Sequence, residues 1–174
     1  QFNRNTLLWR MPGADGVKTG HARSAGYCLV ASAKRDNMRL VATLLGAADE
    51  KARAEAGLNL LEFGFRAYET RLLYQSLAPS VHVRVWMGDI EMLPAGIGRD
   101  LYLTLPRGSF GKLKANVLIS RPPTAPITSG DTIGQVHLTL DQAPLGDYPL
   151  LALRDVRQGS LVQRILDQLR LWLQ

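Results

Sequence analysis

A short run near the start of the chain, Asp15-Gly16-Val17-Lys18-Thr19-Gly20-His21, has the residue types needed to bind an anionic peptide. Lys18 supplies a fixed positive charge, and the Thr19 hydroxyl can donate a hydrogen bond to a carboxylate. Gly20 has no side chain, so an extended peptide can lie close to the backbone and add to it as a β-strand. Because such a string recurs by chance, it could equally be an ordinary turn that leads into a strand.

The residues around this run have the composition of β-strands. We predict strands over residues 16–21, 26–34 and 38–45, which are rich in Val, Leu, Ala and Thr. The polar link 34–37 has the length of a hairpin turn, so the second and third strands should pair antiparallel. Residues 1–15 are predicted to be irregular. The strands would therefore carry Lys18 at one side of a small sheet.

Residues 49–68 are predicted to form a helix. Acidic residues stand in its first turn, where the helix dipole favours them. Its apolar residues recur at spacings of three and four, which places them on one face: Ala54, Leu58, Leu61 and Phe65. Arg53 lies on the same helix.

Beyond residue 68 the pattern changes to short alternating strands, and we divide the chain into regions 1–69, 70–157 and 158–174. The second region is predicted to be a compact all-β sandwich or barrel-like module. Its expected strands lie at residues 81–86, 101–105, 114–120, 133–140 and 148–153. His82 and His137 stand alone in strands and are expected to be structural.

The third region has the period of an amphipathic helix, with Ser160 as its N-cap. The apolar face contains Leu161, Ile165, Leu169, Trp172 and Leu173. Such a helix either packs on its own domain or lies in a membrane interface.

Composition excludes several classes of function. The net charge is +6, yet the arginines are spread along the chain without a basic cluster, so we expect no nucleic-acid partner. Cys28 is the only cysteine, which rules out an internal disulfide and zinc sites built on cysteine pairs, and we expect it to be a buried structural thiol. We predict no cofactor and no metal site. No apolar run approaches the ~20 residues of a membrane span.

The order of these motifs resembles a known family, the low-molecular-mass penicillin-binding proteins. The similarity is to serine D-alanyl-D-alanine carboxypeptidases of the penicillin-binding protein 5 type, in which Lys-Thr-Gly lies on the strand that edges the active site. Besides Lys18-Thr19-Gly20, it is carried by segments 1–9, 25–33, 39–46, 59–65 and 99–108. The resemblance covers nearly the whole chain, and it is specific because β-lactamases share Lys-Thr-Gly but have no such second domain.

The resemblance implies an α+β fold. The order would be the C-terminal part of the penicillin-binding transpeptidase-like domain (antiparallel strands plus a helix), a small all-β sandwich-like domain, and a C-terminal amphipathic helix that anchors the protein to a membrane surface. It also implies a hydrolase that removes the terminal D-Ala from peptidoglycan stem peptides through an acyl-serine and is acylated by β-lactam antibiotics. Such an enzyme is periplasmic, peripheral to the outer face of the cytoplasmic membrane.

The resemblance also implies roles for single residues. The catalytic group would be Lys18, Thr19, Gly20 and His21, with the His21 backbone N–H as an oxyanion-hole donor. The substrate carboxylate would be bound by Lys18, Thr19, Arg53 and Arg4. For Arg53 the alternative is a solvated helix arginine, and for Arg4 it is an ordinary surface arginine.

The family also carries its nucleophile on a Ser-x-x-Lys motif, with a Ser-x-Asn element, ahead of Lys-Thr-Gly. We expect both to be absent from this chain, which would make it the C-terminal portion of the enzyme, inactive by itself. The alternative is a noncatalytic, membrane-tethered envelope module that binds peptidoglycan or a protein partner.

Overall fold

The structure, a computed structural model, describes residues 3–172. The chain divides into two compact units. The first contains the residues up to Arg71 together with Thr104–Gly108, and the second contains Leu72–Leu103 together with the residues from Ser109 onward.

The first unit is a three-stranded antiparallel sheet with two helices. The sheet order is β1-β2-β3, which confirms the predicted antiparallel pairing of the second and third strands. The elements are α1 (Leu7–Arg10), β1 (Ala14–Ala22), β2 (Gly26–Arg35), β3 (Met38–Ala47) and α2 (Glu50–Ala67). The prediction that residues 1–15 are irregular was wrong for α1, a single turn too short to produce a periodic pattern.

Helix α2 packs on the sheet through the face that its spacing predicted. Asp49 caps the helix by accepting a hydrogen bond from the Ala52 backbone N–H at 2.7 Å. Leu61 and Phe65 are buried in one core with Leu29 of β2. Gly57 permits close contact there, because a β-carbon at this position would lie 2.9 Å from Leu29 Cδ2. The ~1 kcal/mol that a helical glycine costs is thus offset by tighter packing.

The second unit contains a five-stranded antiparallel sheet, in the order β5-β6-β10-β9-β8. Strands β4 and β7 pair separately as a two-stranded sheet. The elements are β4 (Tyr68–Tyr74), β5 (Val81–Arg84), β6 (Met92–Ile97), β7 (Leu101–Pro106), a 3₁₀ turn (Ser109–Lys112), β8 (Leu113–Leu118), β9 (Thr132–Leu140) and β10 (Ala143–Ala152). The sequence prediction missed β4 and β6. Strand β6 contains Pro94 and Gly96, and both residue types are depleted in strands.

Residues of β4 and β7 that belong to the second unit contribute to its core with the larger sheet. Leu73 of β4 and Leu101 of β7 pack with Val136, Leu138 and Leu150 of the larger sheet. The sequence prediction for this region was a compact all-β sandwich or barrel-like module, and the larger sheet is antiparallel.

Helix α3 (Leu161–Trp172) ends the described chain. Ser160 Oγ accepts a hydrogen bond from the Gln163 backbone N–H at 3.3 Å, which confirms the predicted N-cap. Six apolar side chains of the helix are exposed, namely Leu161, Val162, Ile165, Leu166, Leu169 and Trp172. Asp167, by contrast, is only 7% exposed. Leu173, assigned above to the apolar face, lies outside the described residues. Within residues 3–172, no helix has both the length and the hydropathy needed to span a bilayer.

Candidate active site

Strand β1, which carries Lys18-Thr19-Gly20, is an edge strand of the first unit's sheet. Among residues 3–172 it pairs only with β2, where Lys18 lies opposite Val30, Thr19 opposite Leu29 and Gly20 opposite Cys28. An edge strand leaves alternate backbone N–H and C=O groups without a partner in its own sheet. The outer edge of β1 can therefore accept an extended peptide as a further strand.

Lys18 and Thr19 lie on opposite faces of the sheet. Residues directly opposite in an antiparallel pair share a face, so Thr19 is on the side of the buried Leu29, which α2 covers. Lys18 is on the other side with Val30, and its ammonium donates a hydrogen bond to the Thr19 carbonyl at 2.6 Å. A peptide on this edge would thus meet the charge of Lys18 from one side and the hydroxyl of Thr19 from the other.

A cavity of about 150 Å³ adjoins the Lys-Thr-Gly run and includes Cys28 and Leu45 in its lining. The Cys28 thiol donates to the Ala25 carbonyl at 3.4 Å and is half-buried. The expectation of a fully buried thiol was therefore wrong. The cause is the lack of a side chain on Gly20, which lies opposite Cys28 and does not cover it.

Arg53 is the most unusual charged group in the first unit, because it is only 3% exposed. Its guanidinium lies 5.8 Å from the centre of the Tyr27 ring, and Tyr27 in turn stacks on His21 of β1 with 4.1 Å between ring centroids. Its Nη2 donates to the backbone carbonyl of Arg4 at 3.1 Å. The interpretation of Arg53 as a solvated helix arginine was therefore wrong.

Within residues 3–172, no carboxylate forms an ion pair with Arg53. A buried charge is costly unless a partner or hydrogen bonds compensate it. One carbonyl and one aromatic face leave most of its five N–H donors available. Arg53 lies on the same side of the sheet as Thr19, since His21 and Thr19 are two residues apart on one strand.

Arg4 takes part in this arrangement through its backbone. Its carbonyl accepts the hydrogen bond from Arg53, while its own side chain is exposed. Arg4 therefore contributes to the candidate site through its carbonyl, which holds the Arg53 guanidinium.

Two side chains from outside β1 contact the residues of that strand that precede Lys18. Arg39 of β3 contacts Asp15 at 2.7 Å and also donates to the Ser32 hydroxyl at 2.6 Å. Hydrogen bonds to the Asp15 carboxyl, the larger effect from Arg39 and the smaller from Ser32, hold the pKa of that carboxyl below its usual value. Asn5 Nδ2 donates to the Gly16 carbonyl at 2.9 Å.

Sequence reasoning missed Asn5, Tyr27 and Arg39 as members of the site. Nothing in the local pattern identifies Tyr27 or Arg39, because their partners are distant in sequence. Asn5 had one available signal, since an asparagine two residues before an apolar run often accepts a backbone N–H; its Oδ1 accepts that of Leu7 at 3.2 Å.

The expectation that the chain contains no Ser-x-x-Lys spacing was wrong. Ser109-Phe110-Gly111-Lys112 has the Ser-x-x-Lys spacing, so that spacing is not absent from the chain. It forms a 3₁₀ turn of the second unit, where Lys112 pairs with Asp141 at 2.9 Å.

Two family models match separate parts of the chain. Residues 1–49 match the model of D-alanyl-D-alanine carboxypeptidase, and residues 68–158 match that of penicillin-binding protein 5, C-terminal domain. The first match contains Lys18-Thr19-Gly20 and the second contains the five-stranded sheet.

Individual relatives agree with these models. The chain is 37% identical over 173 residues to the D-alanyl-D-alanine carboxypeptidase DacA of Escherichia coli, covering 98% of this chain and 43% of that protein. The structure resembles penicillin binding protein 5 from Haemophilus influenzae, with a TM-score of 0.78 and 35% identity over 91% of this chain and 47% of that one. It also resembles the D-alanyl-D-alanine carboxypeptidase DacD from Francisella tularensis, with a TM-score of 0.64 and 33% identity over 91% and 40% of the two chains.

The chain thus spans less than half the length of the relatives that it matches. The second family model alone covers more than half of this chain, and the resemblance stated from the sequence is confirmed. The chain belongs to the penicillin-binding protein 5 family, whose C-terminal domain model matches residues 68–158.

Proposed function

We propose that this chain is the C-terminal portion of a serine D-Ala-D-Ala carboxypeptidase. In this proposal a longer protein, called the parent protein below, carries the nucleophile motif ahead of Gln1. The observation that carries the proposal is the buried guanidinium of Arg53, which has no carboxylate partner within residues 3–172 and lies on the Thr19 side of an edge strand. The names of the matching relatives support the same activity. No observation favours the noncatalytic envelope module.

The substrate is a peptidoglycan stem peptide that ends in D-Ala-D-Ala. Its backbone adds to the open edge of β1 beside Gly20, and its terminal carboxylate is bound by Arg53 and the Thr19 hydroxyl. Arg4 contributes positive charge at the mouth of this site. These contacts place the penultimate carbonyl carbon opposite the serine of the parent protein.

The serine oxygen attacks that carbonyl carbon, and its proton passes to the lysine of the Ser-x-x-Lys motif. The His21 backbone N–H stabilises the oxyanion, and the charge of Lys18 stabilises the negative charge that develops beside it. Collapse of the intermediate breaks the peptide bond and releases D-Ala, which takes up a proton. Water then hydrolyses the acyl-serine, which regenerates the serine and frees the shortened peptide.

β-lactam antibiotics would use the same groups. The carboxylate of a penicillin is bound by Arg53 and Thr19, and opening of the lactam ring by the serine gives an acyl-enzyme whose carbonyl faces the same oxyanion donor. Both kinds of ligand therefore depend on the same face of β1.

The rest of the chain would locate the enzyme in the cell. We assign residues 1–69 to the catalytic domain, 70–157 to a β-rich spacer and 158–174 to a membrane-anchoring helix. The anchor is supported by the exposure of the apolar side of α3, where Ile165 is 62% and Trp172 89% exposed. Each such side chain contributes about 1.5–3 kcal/mol when buried, so several would give reversible attachment of roughly micromolar strength before ordering costs. In this proposal the protein lies in the periplasm, on the outer face of the cytoplasmic membrane.

The role of Arg53 tests the proposal in the parent protein. The substrates are a peptide that ends in D-Ala-D-Ala and the same peptide with a C-terminal amide, which lacks the carboxylate. Arg53→Ala should reduce kcat/KM for the free acid by a factor on the order of 10², as for the loss of a charged partner, with a much smaller loss for the amide. Arg66→Ala is the matched control, because Arg66 is an exposed arginine of the same helix. Equal losses on both substrates would contradict carboxylate binding by Arg53.

A further inference from the structure

Asn5 is a buried polar side chain that the proposed mechanism does not use. It is 3% exposed, and both ends of its amide are engaged. Nδ2 donates to the Gly16 carbonyl at 2.9 Å, and Oδ1 accepts the Leu7 backbone N–H at 3.2 Å. The Asn5 backbone N–H is held in turn by Asn3 Oδ1 at 2.9 Å. A side chain with this many fixed contacts has one conformation available to it.

The contact with Gly16 fixes the strand that carries the reactive groups. Gly16 lies two residues before Lys18, on the edge strand β1. An edge strand receives ladder hydrogen bonds from one neighbour only, here β2. Asn5 therefore supplies a contact to β1 from outside its own sheet.

The same short segment also holds Arg53. The carbonyl of Arg4 belongs to the peptide group that joins Arg4 to Asn5, and it accepts from Arg53 Nη2 at 3.1 Å. One end of this two-residue segment is thus bonded to β1 and the other to α2. Any shift of Asn5 relative to Gly16 moves the Arg4 carbonyl, and with it the acceptor that orients the buried guanidinium.

We propose that Asn5 is a positioning residue that sets the placement of Arg53 relative to the Lys18-Thr19 strand. This inference rests on the proposed function, because it assumes that one substrate carboxylate is bound by Arg53 and Thr19 together. Two groups on different elements bind one carboxylate well only when their separation is fixed, and a displacement near 1 Å can cost about 10² in rate. Asparagine is suited to the task because its amide donates and accepts at once.

Substitution by aspartate separates the two contacts of the side chain. In Asn5→Asp the carboxylate still accepts from Leu7 but cannot donate to Gly16, and it faces that carbonyl with a negative charge. Asn5→Ser keeps a short hydroxyl that can accept the Leu7 N–H, as serine does at helix starts, but does not reach Gly16. If Asn5→Asp fails to fold, Asn5→Ser carries the test. Asn59→Asp, at an exposed asparagine of α2, is the control for the same chemical change.

The experiment uses the parent protein and measures its preference for the carboxylate, defined as the ratio of kcat/KM values for the D-Ala-D-Ala peptide and its C-terminal amide. We expect Asn5→Asp and Asn5→Ser to lower this ratio by tenfold or more, and Asn59→Asp to leave it unchanged. A thermal unfolding curve is recorded for each variant. A purely structural Asn5 would lower the melting temperature and leave the ratio intact, which would overturn the inference. Failure of the wild-type parent protein to release D-Ala would instead contradict the proposed function itself.

Discussion

The Asp167 carboxylate accepts a hydrogen bond from the Met87 backbone N–H at 2.9 Å, and this contact seats helix α3 on the β-rich unit through its polar side. Arg170 lies 3.7 Å from the same carboxylate, one turn further along. Because the polar side faces the protein, the apolar side points away from it. The alternative that the helix packs its apolar face on its own domain is thus not observed among the residues described.

Attachment to a membrane through this apolar side can be tested with two single charges. Ile165→Glu places a carboxylate within the exposed apolar side of α3 and should weaken binding to anionic lipid vesicles by tenfold or more, because a charge at the acyl boundary opposes burial. Gln163→Glu is the control, since it adds the same charge at an exposed position on the side of Asp167 and Arg170. The measurement is co-sedimentation of the parent protein with vesicles. Equal losses in the two variants would indicate simple charge repulsion and contradict the anchor.

Removal of residues 160–174 from the parent protein gives a second prediction about location. The shortened protein should stay in the supernatant with vesicles while its activity on a soluble peptide remains near normal, because no residue assigned to the site lies in α3. If it still pellets with lipid, or if it unfolds, the helix is not a separable anchor.

The 174-residue chain by itself should not be labelled by a fluorescent penicillin, whereas the parent protein should be. The reason is that the nucleophile is assigned to a motif ahead of Gln1. Ser109 is the serine to check, since it alone has a lysine three positions on. Labelling of the isolated chain that disappears in Ser109→Ala would identify Ser109 as a nucleophile and contradict the assignment.

The contact between Asp15 and Arg39 should make the stability of the first unit depend on pH in acid. The pKa of Asp15 is lowered in the folded state, chiefly by the Arg39 hydrogen bond. Its contribution is therefore complete above the usual carboxyl value of about 3.9 and is lost as the pH falls through the lower folded value. Denaturant unfolding of the parent protein and of Asp15→Asn, followed from pH 7 to pH 2, should show a stability difference that shrinks below about pH 4. A difference that stays constant down to pH 2 would mean that the ionised carboxylate contributes nothing.

Much of the fold followed from local pattern. The apolar spacing of Ala54, Leu61 and Phe65 located the buried face of α2, and the polar link 34–37 located a hairpin. Strand β6 could not be found in this way, because Pro94 and Gly96 oppose strand formation locally and only pairing with β5 and β10 on both sides holds the segment in the sheet.

In the candidate site, too, the residues with a local sequence signal could be predicted and those positioned by distant contacts could not. Lys18, Thr19 and Gly20 could be named from the sequence because their order is itself the signal. The burial of Arg53 could not be predicted, since it depends on Tyr27 and on the Arg4 carbonyl, whose positions are set by β2 and by the segment before α1. Contacts between residues far apart in the chain produce no periodic pattern in the amino-acid sequence.

The most direct measurement of the central claim is the release of D-Ala from a pentapeptide stem by the parent protein and its Lys18→Ala and Thr19→Ala variants. The wild-type protein should release D-Ala, and turnover should fall by a factor on the order of 10² to 10³ in each variant, as expected when a charged or donor group near a developing anion is removed. Far-ultraviolet circular dichroism checks that the variants are folded. A wild-type parent protein that releases no D-Ala would contradict the proposed carboxypeptidase activity. Folded variants that release it at the wild-type rate would contradict the roles of Lys18 and Thr19.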